Sequence, residues 1–324
     1  MRQIEVIGTG GTIASRQGNS NGGAVAADGI QSLLGNVPTG VTISTRDLFT
    51  MGSYQIGPRE LRQIAITVAD AAKRPEVDGI VVSHGTDTIE ESAFLVDLVH
   101  DSSKPVIFTG AQRAADQADT DGPRNLFEAV EAAADPQMAG IGSAVAFAGE
   151  LFPSRGIRKG QTLTPVAFIH EAKLAVHHPR GWIRSLTPRR SPALPLPSEA
   201  FERRRVELFS AAPGTDPEMI HREIAVGVDG IVLIGTGAGN AGPGYLAMVQ
   251  EATSRGIPVV LATRVPGGPV AGMYGNGGGA DLLRAGAISA NGLSPYQARI
   301  LLALLLDQAT ATDQIRTQFD QLSY

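Results

Sequence analysis

Two short stretches set hydroxyl groups among glycines: "GTGGTI" at residues 8–13 and "HGTDT" at residues 84–88. Each lies behind an apolar run, "QIEVIG" in the first case and "DGIVVS" in the second. A Gly-rich turn behind a strand can cradle phosphate, take a dinucleotide, or hold a nucleophile on a bend. No lysine follows Gly11, which rules out the phosphate loop Gly-x-x-x-x-Gly-Lys-Ser/Thr. Ile13 stands where a dinucleotide turn needs its third glycine. The polar segment behind it, "SRQGNSNGGAVAADG", reads as a mobile lid and not as a helix. What remains is a hydroxyl at the end of a parallel strand, in the crevice where open α/β sheets bind ligands. On its own this stretch is better read as Thr9 and Thr12 capping a turn. The second stretch crowds His84, Thr86, Asp87 and Thr88 onto one turn, where Gly85 lets backbone approach a ligand closely. Asp87 or Thr88 is expected to cap the helix that follows. Two strand ends with threonine beside glycine suit a nucleophile and backbone N–H groups facing a developing oxyanion.

The elements that must position these groups follow from the spacing of apolar residues. "QIEVIG", "DGIVVS", "KPVIFTG" and "GSAVAFAG" read as short buried strands. Residues 58–73, 88–100 and the stretch "DGPRNLFEAVEAAA" read as helices, with Pro58 suited to a first helical turn. Alternating strand and helix predicts a mostly parallel sheet. "SLTPRRSPALPLPSEA", with four prolines, reads as an extended linker. Beyond it "RVELFSA", "GIVLIGTG" and "IPVVLAT" read as strands, and "SPYQARILLALLLDQA" as a closing helix capped by Ser294. The expected organisation is α/β throughout: a larger N-terminal domain over 1–184 with a lid at 14–28, a Pro-rich linker over 185–203, and a smaller C-terminal domain over 204–324.

Composition narrows the chemistry. The net charge of −5 argues against a nucleic-acid partner, and the run Arg203–Arg204–Arg205 reads as a solvated segment. There is no cysteine, so disulfides, thiolate metal sites and cysteine nucleophiles are excluded. No apolar run reaches the ~18 residues of a membrane span, and the N-terminus opens straight into a strand without a signal region; a cytoplasmic location is expected. His170-Glu171 has Leu174 where a zinc helix needs its second histidine, and His177-His178 before Pro179 reads as loop. No metal and no organic cofactor is expected.

The pair "TGGTI" and "HGTDT" resembles the bacterial-type L-asparaginase/glutaminase family. Matches continue through "MGS" (51–53), "FTGAQR" (108–113), "DGPRNL" (121–126), "SRGIRKGQT" (154–162), "DGIVLIGTGAGN" (229–240), "TRVPGG" (263–268) and "LSPYQARILL" (293–302). The resemblance implies that Thr12 is the nucleophile on a flexible lid and that Thr86, Asp87 and Lys159 form a relay. It implies that Asp87 holds the substrate's α-amino group and Ser53 its α-carboxylate. Backbone N–H groups at Gly11 and Thr86 would form the oxyanion hole around Gly85, and the Ala111 carbonyl would receive the side-chain amide. The implied activity is hydrolysis of L-asparagine to L-aspartate and ammonia, with room for a glutaminase side activity, in a homotetramer built as a dimer of dimers. The alternatives are hydrolysis of other small or D-amino-acid amides, and a non-catalytic amino-acid-binding protein.

The chain departs from that family around the substrate's head. Its lid stretch 15–30 has no aromatic residue, where the family usually places a tyrosine. Tyr54 follows Ser53 where many members have glutamine or alanine, and Ala238 stands where some carry asparagine or serine. No acidic residue lies between Arg264 and Asp281, where well-studied members supply a glutamate from a neighbouring subunit. These departures predict a weakened hold on the substrate amine.

Overall fold

The computed structural model describes residues 1–16, 23–188 and 190–322. The chain divides into two compact units between Leu196 and Pro197.

The first unit is built on eight strands: β1 (Arg2–Gly10), β2 (Val41–Met51), β3 (Gly79–Ser83), β4 (Val106–Thr109), β5 (Ser143–Phe147), β6 (Glu150–Pro153), β7 (Ala175–His178) and β8 (Gly181–Arg184). They lie in the order β8-β7-β6-β5-β4-β3-β1-β2. The five from β2 to β5 are parallel, while β6, β7 and β8 run antiparallel to their neighbours. "Mostly parallel" therefore describes the half of the sheet that carries the glycine turns.

Three helices cover this sheet: α1 (Pro58–Lys73), α2 (Ile89–Val99) and α3 (Gly122–Ala134). In α1, Leu61, Ile64, Ala65, Val68 and Ala71 are buried, the i, i+3, i+4, i+7 stripe of a helix with one dry face. Its start is fixed by Pro58 in the first turn and by Glu60, whose carboxylate accepts the Gly57 N–H at 3.0 Å. Leu126, Ala129 and Val130 of α3 pack with Ile4, Val6, Val81, Ile107 and Ala144 in one core cluster. Because strand side chains alternate, Ile80, Val82 and Phe108 point to the opposite face, where α1 and α2 meet the same strands.

At one edge β7 and β8 form a hairpin in which Val176 opposes Ile183. His177 and His178 thus lie in a strand and not in a loop, with Pro179 and Arg180 making the turn. The strand holds because Trp182 is buried beneath it, its indole N–H donating to the Glu128 carbonyl at 3.0 Å. Arg184, the last residue of β8, reaches back to the Leu186 carbonyl at 3.1 Å and to the Gln137 carbonyl.

The second unit has four parallel strands, β9 (Val206–Ser210), β10 (Gly230–Gly235), β11 (Val259–Thr263) and β12 (Ile288–Ser289), in that order. Ile231, Leu233, Val259 and Leu261 pack on one face against the helices Glu218–Val226 and Tyr245–Ser254. The helix Pro295–Asp307 meets β9, β10 and β11, and Ser294 caps it by accepting the Gln297 N–H at 3.1 Å. In the stretch expected as a linker, the Leu194 N–H donates to the Leu98 carbonyl within the first unit. Ser198 bonds to Asp307 within the second, and a short 3-10 helix spans Glu199–Arg203.

Candidate active site

Chain order and sheet order diverge at β1. The chain leaves β1 to build β2 on one side, then crosses to build β3 on the other. Parallel sheets open a crevice at such a switch point, outside the carboxyl ends of the strands. Both hydroxyl-bearing turns stand there, Gly10 to Thr12 after β1 and His84 to Thr88 after β3.

The two turns touch through glycine. Gly11 has φ of 84°, a left-handed conformation that disfavours side chains. A Cβ built on it would overlap the backbone of Gly85, and one built on Gly85 would stand 2.6 Å from Ser53 Oγ. Glycine at both positions lets the turns and the Ser53 loop close together.

A cavity of about 340 Å³ opens over this junction, lined by Gly11, Thr12, Ser53, Tyr54, Gly85 and Asp87 among others. Thr12 begins a single 3-10 turn, Thr12–Ala14, and is half-buried. Behind it the short strands Ser15–Arg16 and Val25–Ala26 pair antiparallel and form the base of the expected lid. Residues 17–22 of that lid, with Gly18 and Gly22, lie outside the described residues. Ser53 is buried, and its carbonyl accepts the Thr88 hydroxyl at 2.9 Å. Thr88 holds the N-cap position of α2 but makes no side-chain cap there; its hydroxyl ties the Ser53 loop to the turn instead. Tyr54 is exposed, with its ring against Gly52 at the cavity rim.

Beside the cavity wall lies a compact polar cluster. Lys159 Nζ is 2.8 Å from Thr86 Oγ1 and 2.6 Å from Asp87 Oδ1. Thr86 is buried, the Lys159 side chain is 17% exposed, and Asp87 is open to solvent. The lysine arrives from about seventy residues away on the two-residue strand Arg158–Lys159, and its own N–H donates to Glu90 Oε2 at 2.9 Å. An ammonium between a hydroxyl and a carboxylate is a proton-handling arrangement.

One expected donor is engaged elsewhere. The Gly11 N–H donates to the Met51 carbonyl at 2.8 Å, so β2 already uses the group expected to face an oxyanion. Among the described residues, no acceptor meets the N–H groups of Thr12 or Thr86. The Ala111 side chain lies in the core cluster under α3.

Two further groups, Gln112 and Glu90, were not singled out from the sequence. Gln112 accepts the Thr86 hydroxyl at 2.9 Å, and Glu90 anchors the lysine strand. His84 is wholly buried: one ring nitrogen meets the Gly85 carbonyl and the other the Ser92 hydroxyl, each at 2.8 Å. The carbonyl only accepts, so Nδ1 carries the proton and Ser92 donates to Nε2. Burial pushes the His84 pKa down to about 4, so the ring is neutral and structural at pH 7. Among the described residues no three or more His, Cys, Asp or Glu side chains gather as ligands for a metal ion, and no helix is long and apolar enough to cross a membrane.

Fold and site together define a two-domain α/β protein with a threonine, lysine and carboxylate cluster at a sheet switch point. Residues 3–183 match the family model described as asparaginase, N-terminal, and residues 205–319 the glutaminase/asparaginase C-terminal domain. A probable L-asparaginase of Deinococcus radiodurans is 35% identical over 98% of this chain and 97% of its own length. A glutaminase-asparaginase of Acinetobacter glutaminasificans is 28% identical over 98% of both chains. The solved structure of a probable cytoplasmic L-asparaginase from Campylobacter jejuni superposes with a TM-score of 0.88 at 27% identity, covering 100% of both chains. This chain belongs to the asparaginase family.

Proposed function

We propose that the protein hydrolyses the side-chain amide of L-asparagine to L-aspartate and ammonia, with L-glutamine a second, slower substrate. The observation that carries this reading is the Lys159–Thr86–Asp87 cluster, set beside a cavity that Thr12 and Asp87 both line. Thr12 attacks the amide carbon and becomes acylated, and its hydroxyl proton passes by way of the Thr86 oxygen, held in place by Lys159 and Asp87, to the departing nitrogen, which leaves as ammonia. Water then enters by the same route and releases aspartate. The N–H groups of Thr12 and Thr86 face the tetrahedral oxyanion, where a single donor is worth roughly 3–4 kcal/mol. Asp87 takes the substrate ammonium and Ser53 its carboxylate.

The relatives' names support this substrate, and one of them supports a cytoplasmic location. A homotetramer belongs to the same reading: the second unit of a neighbouring copy completes the head-group pocket, with 275–279 near the contact. The decisive assay is ammonia release from asparagine, from glutamine and from buffer alone. Turnover of asparagine supports the reading, and binding without ammonia release overturns it. Light scattering that finds a fully active monomer overturns the assembly.

A further inference from the structure

The Gln112 carboxamide touches three partners. Its Oε1 meets the Thr86 hydroxyl at 2.9 Å, while its Nε2 meets the carbonyl oxygens of Thr162 and Thr164 at 3.2 and 3.1 Å. Carbonyl oxygens only accept hydrogen bonds, so two of them must face the NH₂ end of the amide. The opposite flip would press Oε1 against both. The amide orientation is thus set by its surroundings, and Oε1 is left for Thr86. An amide oxygen has no proton to give, which makes Thr86 the donor in that bond. Thr86 has a single proton, and Lys159 Nζ at 2.8 Å must therefore donate to the Thr86 oxygen.

We infer that Gln112 is a positioning residue that fixes the direction of the Thr86 proton and so presents the Thr86 oxygen as an acceptor. This rests on the amidohydrolase reading above. A free hydroxyl samples three staggered rotamers, and only some leave a lone pair for a proton arriving from the nucleophile. Gln112 selects among them without touching the substrate; it is absent from the cavity wall. Through Nε2 it also ties the segment around Leu163, itself 82% exposed, to the turn that holds Thr86. The Gln112 backbone is held separately, its N–H shared between the two carboxylate oxygens of Asp121 at 3.1 and 3.0 Å. A change of side chain therefore leaves the main-chain anchor in place.

The test compares wild type, Gln112→Met and Gln112→Glu in asparagine kinetics across pH. Met offers only a weak thioether acceptor and no donor, so kcat falls about tenfold, the size of one lost preorganised hydrogen bond, while KM moves less than about threefold. Glu keeps an acceptor for Thr86, but its second oxygen faces the Thr162 and Thr164 carbonyls, so it replaces Gln only when protonated on that oxygen. kcat therefore recovers to within about threefold of wild type at low pH and falls toward the Met value as the carboxyl ionises, a pH dependence absent from Gln112→Met. Wild-type kcat and pH profile in Gln112→Met overturn the inference, as do equal losses in both variants at every pH, which mark a merely structural side chain. A second readout needs no turnover: neutron diffraction from wild-type crystals grown in heavy water. Deuterium on Thr86 directed at Gln112 Oε1 is the expected result, and deuterium directed at Lys159 or the cavity overturns it. Should wild type release no ammonia from asparagine, the functional reading fails and the neutron map still decides the role of Gln112.

Discussion

Gly11 and Gly85 occupy each other's side-chain space: a Cβ on Gly85 would lie 3.2 Å from Gly11 Cα, and one on Gly11 would overlap the Gly85 backbone. The turns that carry Thr12 and Thr86 thus approach through an absence of side chains, and their spacing is set by main-chain contact.

Gly11→Ala meets both problems at once, a left-handed φ of 84° and a backbone overlap that no rotamer relieves. The conformational part alone costs about 1–2 kcal/mol. Denaturant unfolding is expected to show at least that loss, and asparagine turnover to fall below detection as the turns part. A Gly11→Ala variant that matched wild type in both would show that the turns are not in fixed contact.

Thr12→Ala and Thr86→Ala are each expected to remove nearly all turnover with the melting temperature held within a few degrees. Residues that act as one unit are non-additive, so the double variant should be little slower than either single one. Substantial activity in either single variant would remove that threonine from the mechanism.

His84 makes stability depend on acid. Its pKa is about 4 when folded, against 6.5 for an ordinary histidine, so between those values the unfolded chain binds the extra proton. Stability should therefore be complete above about pH 6.5 and fall as pH drops toward 4, by up to about 3 kcal/mol from this one ring. His100, also held low chiefly by burial, adds in the same direction. Urea unfolding of wild type and His84→Asn at several pH values checks this. The variant is less stable at pH 7 but has a shallower acid slope; parallel slopes would assign the loss to other groups.

Tyr54 walls the cavity with its ring, and among the described residues its hydroxyl makes no hydrogen bond. Tyr54→Phe is thus expected to leave KM for asparagine within about twofold of wild type, and Tyr54→Ala to raise it about fivefold, the size of about 1 kcal/mol of lost apolar cover. A Phe variant as impaired as the Ala variant would move the role from ring to hydroxyl.

The sequence disclosed the parts of the site that lie next to each other in the chain. "GTGGTI" and "HGTDT" each carry their own glycine and hydroxyl, and the apolar runs before them give away the strands that end there. Helix α1 was legible from 58 to 73 because its dry stripe and its Pro58 start agree. β2 was not: "VTISTRDLFTM" alternates only weakly, since it is a half-exposed outer strand. The 175–184 hairpin was hidden for a similar reason, its Gly and Pro resembling loop until Trp182 buries it. Gln112 was invisible as a functional group because two of its three side-chain partners are backbone carbonyls fifty residues away, and carbonyls leave no mark on residue type. The engagement of the Gly11 N–H by Met51 is invisible on the same ground.

The hairpin that ends the large sheet on one side also bears on how that side meets other copies when they are crowded. A sheet margin is a row of open N–H and C=O groups onto which a stranger's strand can build. Here that margin is β8, four residues long, with Arg184 at its far end folded back on carbonyls of its own chain. A second molecule aligned with it would find roughly two residues' worth of backbone to grip, too little to start a ribbon. Concentrated solutions should accordingly resist fibre growth from this side, and the protection is lodged in a strand at the far end of the sheet from the cavity.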